Sequence, residues 1–208
     1  MRLGILGGTF NPIHFGHLRA AEDAREKGNL DKVIFIPAGN PPIKISDLSD
    51  ASHRYEMTRI AISSNKNFEI SDIEIQQKEK SYAINTIKIL RKIYPNDELF
   101  FILGIDAFLD LPNWWQPERI VEEIDFIIVS RPGYELSEIF KSPYVKKDTK
   151  TLSDFLILNS GRKVFPIQIT QMGISSTEIR NIIKKGMSIK YLLPESVEHY
   201  IYKNNLFK

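Results

Sequence analysis

Cysteine is absent from the 208 residues of this chain. A chain without it can form no disulfide framework, no Cys-based zinc or iron–sulfur site and no cysteine nucleophile, and such a composition fits a reducing cytosol. Long apolar runs are missing too: Leu99–Leu103 and Phe126–Val129 are far shorter than the ~18 residues of a membrane-spanning helix. The apolar start of the chain is short, is broken by glycine and precedes no Ala-x-Ala-like cleavage site, so it predicts a core strand and not a signal peptide. We therefore expect a cytoplasmic protein without a membrane partner.

An excess of charge of one sign is also lacking. The chain has 28 Lys and Arg against 26 Asp and Glu, a net charge of +2. That balance argues against a nucleic-acid partner, because such surfaces usually have a pI above ~9 and clustered basic residues. The 42% hydrophobic content, with 11 Gly and 11 Pro, excludes collagen, a coiled-coil rod and a disordered tail. We expect one domain over residues 1–208, with a small helical portion from about 174 to 208.

Apolar strands alternate with amphipathic helices along the chain. This alternation predicts an α/β fold: a Rossmann-like open parallel sheet with helices on both faces. Residues 131–162 are the least periodic and are interpreted as an excursion from the sheet, with a short helix at 152–158. The predicted strands are Leu3–Leu6, Val33–Ile36, Phe68–Ile75, Leu99–Leu103, Phe126–Val129 and Val164–Ile169. The predicted helical faces are Met57/Ile60/Ala61, Ile87/Leu90/Tyr94, Ile179/Ile182/Ile183 and, within Pro194–Tyr202, Val197/Tyr200/Ile201.

The loop after the first strand is the strongest candidate site, because ligands of open α/β sheets lie beyond the carboxyl ends of strands. Gly7 and Gly8 allow close backbone approach to a ligand. His14 and His17 lie three apart at the start of a helix, where free N–H groups and the positive dipole end favour phosphate. The alternative is an ordinary packing turn. A zinc pair is disfavoured, because no third histidine or nearby carboxylate completes it.

Two familiar nucleotide motifs are missing. Gly-x-Gly-x-x-Gly is absent, and no acidic residue closes the second strand at Ile36, which disfavours dinucleotide binding of the dehydrogenase type. There is no Gly-Lys-Ser/Thr either, which excludes a P-loop.

Two segments resemble the signature motifs of a nucleotidyltransferase superfamily. His14-Phe15-Gly16-His17 resembles its His-x-Gly-His, and Ile174-Ser175-Ser176-Thr177-Glu178-Ile179-Arg180 resembles its Ile-Ser-Ser-Thr-x-Ile-Arg. The order is correct, with about 160 residues between the two. Further segments, distributed over nearly the whole chain, resemble nicotinate-nucleotide adenylyltransferases: Pro41–Lys44, Ser81–Thr86, Gly104–Asp106, Leu111–Trp115, Ser130–Gly133 and Pro194–Leu206.

The chain departs from that family's pattern at four positions. Asn11 stands where Asp is frequent, Ile43 replaces His, Ala83 replaces Thr, and Trp115 replaces Tyr. The change at 43 weakens an extra phosphate contact there. The change at 83 keeps the function if only the backbone N–H is used.

The resemblance implies a reaction in which ATP and nicotinate mononucleotide give nicotinate adenine dinucleotide and pyrophosphate, a step of NAD biosynthesis. The attacking phosphate oxygen is already anionic, so no general base is required, and catalysis consists of positioning and charge stabilisation. Mg²⁺ is expected as a cofactor carried with the ATP phosphates and not as a protein-held metal. The sequence leaves homo-oligomer formation open.

The resemblance also implies roles for individual residues. The residues implied as catalytic are His17, His14, Lys44 and Arg180. Those implied for ATP are Gly7, Gly8, Thr9, Phe10, His14, His17, Gly104, Asp106, Ile174, Ser175, Ser176, Thr177 and Arg180. Those implied for nicotinate mononucleotide are Tyr82, Ala83, Thr86, Asp106, Trp114 and Trp115.

Structural interpretations stand beside several of these roles. Ser175 and Glu178 have the spacing of a capping box, and Asp106 could be the N-cap of a helix. Lys44 could be an ordinary solvent-exposed lysine of a loop. One of Trp114 and Trp115 could simply pack in the hydrophobic core.

Three other functions stay open. A related nucleotidyltransferase would use nicotinamide mononucleotide or phosphopantetheine. A fragment of a tRNA-binding synthetase would explain His-x-Gly-His together with Gly186–Lys190, although the length leaves no room for a tRNA-reading domain. A non-catalytic nucleotide-binding module would bind ATP without turnover.

Overall fold

The computed structural model describes residues 1–43, 47–147 and 154–208. Strands and helices alternate through these ranges, as the apolar pattern predicts. The strands are β1 Arg2–Gly8, β2 Lys32–Pro37, β3 Phe68–Ile70, β4 Glu98–Gly104, β5 Asp125–Val129, β6 Leu156–Ile157 and β7 Lys163–Ile167. The α-helices are α1 Phe15–Lys27, α2 Ala51–Ile62, α3 Ala83–Ile93, α4 Ile105–Asp110, α5 Pro117–Glu123, α6 Ser176–Lys184 and α7 Glu195–Lys203. Two 3-10 helices cover Leu111–Asn113 and Leu136–Lys141.

The strands form one sheet in the order β3-β2-β1-β4-β5-β7-β6. The pairs β1–β4, β4–β5 and β5–β7 are parallel, while β6 runs antiparallel to β7. In register, Leu3 lies opposite Leu99, and Phe126 lies opposite both Phe101 and Val164. The predicted α/β class with a Rossmann-like, mostly parallel sheet is confirmed.

The continuous apolar runs belong to strands buried on both faces, as parallel strands require. Val33–Ile36 of β2 and Phe126–Val129 of β5 are buried at every position. None of the described helices combines the length and the hydrophobicity of a membrane span.

Two predicted elements are wrong in part. The strand predicted over Phe68–Ile75 ends at Ile70, because a polar turn follows in which the Gln76 amide donates to Asp72 Oδ2 at 2.6 Å. The helix predicted at 152–158 is contradicted by β6, in which Leu156 pairs with Val164. Residues 152 and 153 lie outside the described ranges.

The chain divides into two compact units. The first unit comprises Met1–Leu6, Ala20–Val33 and Tyr82–Gln171. Its core includes Phe126, whose ring centroid lies 5.7 Å from that of Phe108. This unit carries the Gly104–Asp106 and Trp114–Trp115 segments.

The second unit comprises Gly7–Arg19, Ile34–Ser81 and Met172–Lys208. The Phe35 ring lies between Phe10 and Phe68, with centroids 5.9 and 5.0 Å away. His53 Nδ1 lies 2.9 Å from the Tyr200 hydroxyl, which joins α2 to α7. Both nucleotidyltransferase motifs lie in this unit.

Candidate active site

The loop after β1 turns sharply before α1 begins. Phe10 adopts a left-handed backbone conformation (φ 48°), and its buried ring meets His17 edge-on with centroids 5.2 Å apart. A β-carbon at Gly8 would lie 2.9 Å from the Phe10 ring. Gly8 is therefore required for the ring to fold back over the loop.

The two histidines of the motif form a stacked pair. Their ring centroids lie 3.8 Å apart with 28° between the planes. The His14 backbone N–H donates to His17 Nδ1 at 3.3 Å. A nitrogen that accepts a hydrogen bond carries no proton, so the proton of neutral His17 is on Nε2, which is then a donor. His14 is buried, and His17 is half-buried.

Gly16 makes room for that pair. A β-carbon at this position would lie 3.0 Å from two atoms of the His14 ring and 3.6 Å from the Ile174 carbonyl oxygen. Only the first of these contacts is tighter than an ordinary van der Waals contact, so it is the His14 ring that favours glycine, while the Ile174 carbonyl lies at contact distance. Ile174 belongs to the second motif.

The start of α6 is fastened to the first loop. The Ser176 hydroxyl donates to the Pro12 carbonyl at 2.8 Å. Ser175 is the N-cap, and its hydroxyl accepts from the Glu178 N–H at 3.1 Å. The predicted capping role of Ser175 is therefore confirmed, and its neighbour Ser176 holds the loop.

Arg180 makes the second link between the two motifs. Its Nη1 donates to the Asn11 carbonyl at 2.9 Å and its Nη2 to Thr177 Oγ1 at 3.3 Å. The side chain is largely buried, and its Nε has no hydrogen-bond partner among the described residues. The structure thus brings His-x-Gly-His and the Ser-Ser-Thr-x-x-Arg helix together, as the sequence resemblance implies. Further guanidinium N–H groups remain for an anion.

Asn11 is a site residue whose role the motifs did not reveal. Its Nδ2 donates to the Asp47 carbonyl at 2.9 Å, and its Oδ1 accepts from both the N–H (3.1 Å) and the hydroxyl (2.7 Å) of Ser49. An aspartate could not make the first of these bonds, which explains the amide at this position. The Lys184 ammonium lowers the pKa of the Asp47 carboxyl through their 2.6 Å hydrogen bond.

Arg54 is the second residue that sequence reasoning missed. It lies on the buried face of α2, and its Nη1 donates to the Thr9 carbonyl at 2.9 Å. The predicted face of this helix was Met57/Ile60/Ala61, whereas Arg54, Met57, Thr58 and Ile62 are the buried residues. The helical period places Arg54 on the same face as Met57, but it does not indicate that the charged side chain is buried there.

In the first unit, Asp106 is the second residue of α4, and the N-cap is Gly104. The N-cap interpretation of Asp106 is therefore wrong. Its Oδ2 accepts from Arg131 Nη1 at 2.9 Å, while Oδ1 is buried without a hydrogen-bond partner among the described residues. A β-carbon at Gly104 would lie 2.5 Å from that Oδ1. Arg131 thus orients the carboxylate, although it is not among the residues for which the sequence resemblance implies a role.

The aromatic residues implied for the mononucleotide lie in two environments. The Trp115 ring is 55% exposed and stacks on Tyr82, with centroids 5.4 Å apart and 27° between the planes. Trp114 Nε1 donates to Asp110 Oδ2 at 3.2 Å, and its ring meets Phe101 edge-on at 6.4 Å. Ala83 begins α3, and Thr86 is buried in the first turn of that helix.

Lys44 lies outside the described residues. His199 is exposed on α7. Within the described ranges, no group of three His, Asp or Glu side chains is arranged to hold a metal ion.

The family model described as cytidylyltransferase-like matches residues 5–182. A relative from Citrifermentans bemidjiense is 45% identical over 213 residues, covering 100% of this chain and 98% of its own length. A relative from Desulfitobacterium hafniense is 42% identical over 208 residues, covering 100% and 96%. Both bear the name probable nicotinate-nucleotide adenylyltransferase.

Solved structures share the fold. The nicotinic acid mononucleotide adenylyltransferase of Plasmodium falciparum, solved in complex with NaAD, is 23% identical and has a TM-score of 0.79. The alignment covers 99% of this chain and 97% of that one. With the full-length relatives above, the fold and the two joined motifs lead to one assignment: the chain belongs to the cytidylyltransferase-like family and, within it, to the nicotinate-nucleotide adenylyltransferases.

Proposed function

We propose that this chain transfers the adenylyl group of ATP to nicotinate mononucleotide, as a single nucleotidyltransferase domain acting in the cytoplasm during NAD biosynthesis. The observation that carries the proposal is the junction of the two motifs. Ser176 and Arg180 of α6 donate hydrogen bonds to the carbonyls of Pro12 and Asn11, which precede His14 by two and three residues. The names of the full-length relatives support the same reaction.

The reaction needs charge stabilisation more than proton transfer. A phosphate oxygen of the mononucleotide attacks the α-phosphorus of ATP, the bond to the β-phosphate oxygen breaks, and pyrophosphate leaves with the electron pair. The attacking oxygen is anionic at neutral pH, so no general base is involved. Donors fixed in place before the reaction are the main source of rate enhancement in such a step.

His17 is the residue we assign to the transition state. Because Nδ1 accepts from the His14 backbone, its Nε2–H is the donor offered to the phosphates. Arg180 keeps further N–H groups for the leaving pyrophosphate after two bonds to the protein. His14, the backbone of Gly7–Phe10 and the start of α6 at Ile174–Thr177 complete the phosphate contacts. Lys44 is proposed as a further phosphate contact from the resemblance alone.

Mg²⁺ would arrive with ATP as part of the substrate. The imidazole groups of His14 and His17 and the guanidinium of Arg180, which we assign to the phosphates, do not provide the oxygen ligands that this ion prefers. Bound to the triphosphate, the ion would neutralise part of its charge.

Residues of the first unit are proposed for the nucleosides. Asp106, held by Arg131, would accept from a ribose hydroxyl, with Gly104 beside it. Trp114, Trp115 and Tyr82 supply aromatic surface for the pyridine ring. Backbone N–H groups near Ala83 and Trp115 would receive the nicotinate carboxylate, with Thr86 nearby in the chain.

The test is pyrophosphate release from ATP with nicotinate mononucleotide, and in parallel with nicotinamide mononucleotide and phosphopantetheine. We expect the acid mononucleotide to give the highest kcat/KM, and a strong preference for another acceptor would refute the proposal.

His17→Ala should lower kcat by about two orders of magnitude or more, as the loss of a transition-state donor does, while ATP binding changes much less. His199→Ala, on an exposed residue, is the matched control and should leave kcat unchanged. Normal turnover by His17→Ala would remove the phosphate-site assignment.

A further inference from the structure

Among the residues that the structure describes, Arg54 is the largest side chain that is fully buried, with only 1% of the residue exposed. It lies in the first turn of α2, one turn before Met57 and Thr58. A guanidinium is rarely buried unless it is paired, because removing a charge from water is costly. Its contacts therefore require an explanation.

All three guanidinium nitrogens donate to backbone carbonyls. Nε donates to Ser49 at 3.0 Å, Nη1 to Thr9 at 2.9 Å and Nη2 to Gly39 at 3.1 Å. Those acceptors come from the residues before α2, the loop after β1 and the loop after β2. One planar fork thus joins three segments that are separate in the sequence.

No carboxylate forms an ion pair with this guanidinium in the part of the chain that the structure describes. Burial lowers the pKa of Arg54 to about 10, while the charges of Glu74 and Asp50 favour its protonated form. The group therefore stays charged at neutral pH. Three neutral carbonyl dipoles hold its positive charge.

The bond to Thr9 also fixes a peptide plane of the phosphate loop. In a trans peptide the carbonyl and the next N–H point in opposite directions. With the Thr9 carbonyl directed at Arg54, the N–H of Phe10 points away from Arg54. Phe10 has the left-handed backbone conformation that this turn requires.

We propose that Arg54 is a positioning residue for ATP. It turns the carbonyls of Thr9 and Gly39 away from the phosphates, presents the Phe10 N–H to them, and places a positive charge behind the loop. The role rests on the proposed function in one respect only, namely that the loop after β1 receives the triphosphate. The nicotinate side of the reaction does not enter the argument.

The decisive variant is Arg54→Lys, which keeps the charge but replaces the planar fork with a single ammonium. We expect kcat/KM for ATP to fall by at least tenfold and the ATP-induced rise in Tm to shrink, with the KM for the mononucleotide within twofold of wild type. A merely structural role would weaken both substrates alike. Wild-type kcat/KM for ATP, or equal losses for both substrates, would overturn the proposal.

Thr58→Val is the matched control on the same helix. The Thr58 hydroxyl is buried and donates to the Arg54 carbonyl at 2.8 Å, which is not one of the three carbonyls that bind the guanidinium. This variant should lower Tm and keep both KM values within twofold. An ATP-specific loss in Thr58→Val equal to that of Arg54→Lys would attribute the effect to α2 as a whole and refute the assignment.

A measurement on the wild-type protein covers the case in which Arg54→Lys does not fold. ATP alone should slow hydrogen exchange at the Phe10 amide by at least fivefold, and unchanged exchange there overturns the proposal. This readout uses no mononucleotide. If the wild type fails to turn over nicotinate mononucleotide but ATP protects Phe10, the proposed reaction fails while the ATP contact on which the role of Arg54 depends stands.

Discussion

Gly16→Ala tests whether the glycine of His-x-Gly-His sets the position of the stacked pair His14 and His17, which we propose to be catalytic. The added carbon would lie 3.0 Å from Cε1 and Nδ1 of His14, whereas ordinary contacts begin at 3.4 Å. The ring must therefore retreat by about 0.4 Å, because the van der Waals potential rises steeply inside contact distance. His17 stacks on that ring at 3.8 Å and would move with it.

The effects on stability and activity should separate. Overpacking costs about 1–3 kcal/mol, but alanine is about 1 kcal/mol better than glycine in a helix, so the net loss of unfolding free energy is about 2 kcal/mol at most. A misplacement of 1 Å can cost about 100-fold in rate, so a shift of about 0.4 Å predicts a kcat lower by roughly fivefold to tenfold. A stability loss of this size leaves a domain of ordinary stability folded, so the drop in kcat can be measured on folded enzyme.

The assay is pyrophosphate release at saturating ATP and mononucleotide, with Tm measured on the same samples. Gly173→Ala is the matched control: it lies beside Ile174, and a β-carbon there meets nothing within 4 Å. We expect wild-type kcat from Gly173→Ala. A Gly16→Ala enzyme with full kcat would refute the reasoning, since the pair would then tolerate the displacement.

Two further predictions concern the cap of α6 and the exposed tryptophan. Ser175→Ala removes the acceptor of the Glu178 N–H and should cost about 1 kcal/mol, lowering Tm by roughly 2–4 °C. Ser175→Asp keeps an acceptor and should restore most of that loss; an unchanged Tm in the alanine variant would show that the cap adds no stability. Trp115→Ala removes an exposed ring that we propose to stack on the pyridine, and the loss of about 0.5–1.5 kcal/mol of such stacking predicts a KM for the mononucleotide roughly twofold to tenfold higher, with the KM for ATP unchanged. Trp115→Phe should stay near wild type, and equal changes in both KM values would contradict a role at the pyridine ring.

The central strands could be predicted because their signal is local. Val33–Ile36 and Phe126–Val129 are uninterrupted apolar runs, and only strands buried on both faces of a sheet require such runs at this length. The capping serine of α6 was equally readable, because an N-cap and its partner lie three residues apart.

The elements that failed depend on distant partners. Leu156 and Leu158 are buried while Ile157 is half-buried, an alternation too short to distinguish from a helical pattern. What decides the strand is its pairing with Val164 and Lys163 of β7. Ile75 was included in a strand for its apolar neighbours, although the turn made by Asp72 and Gln76 removes it from the sheet.

Only the site residues that lie within the sequence motifs could be predicted. His14, His17 and Arg180 could be placed together because the resemblance joins the two segments. Arg54 could not, since a charged residue on an otherwise apolar helix face ordinarily indicates solvent. The burial of Arg54 depends on the backbone carbonyls of Thr9, Gly39 and Ser49. The side chains of these three residues do not indicate that their carbonyls accept from an arginine.

The ends of the sheet have a consequence for behaviour at high concentration. Unpaired strand edges invite association with other chains, which proteins restrict by keeping edge strands short. Here the outermost strands are β3, with three residues, and β6, with two, the shortest strands in the described part of the chain. The apolar strands most able to nucleate aggregates are thereby held between paired neighbours, which favours a protein that stays dispersed while folded.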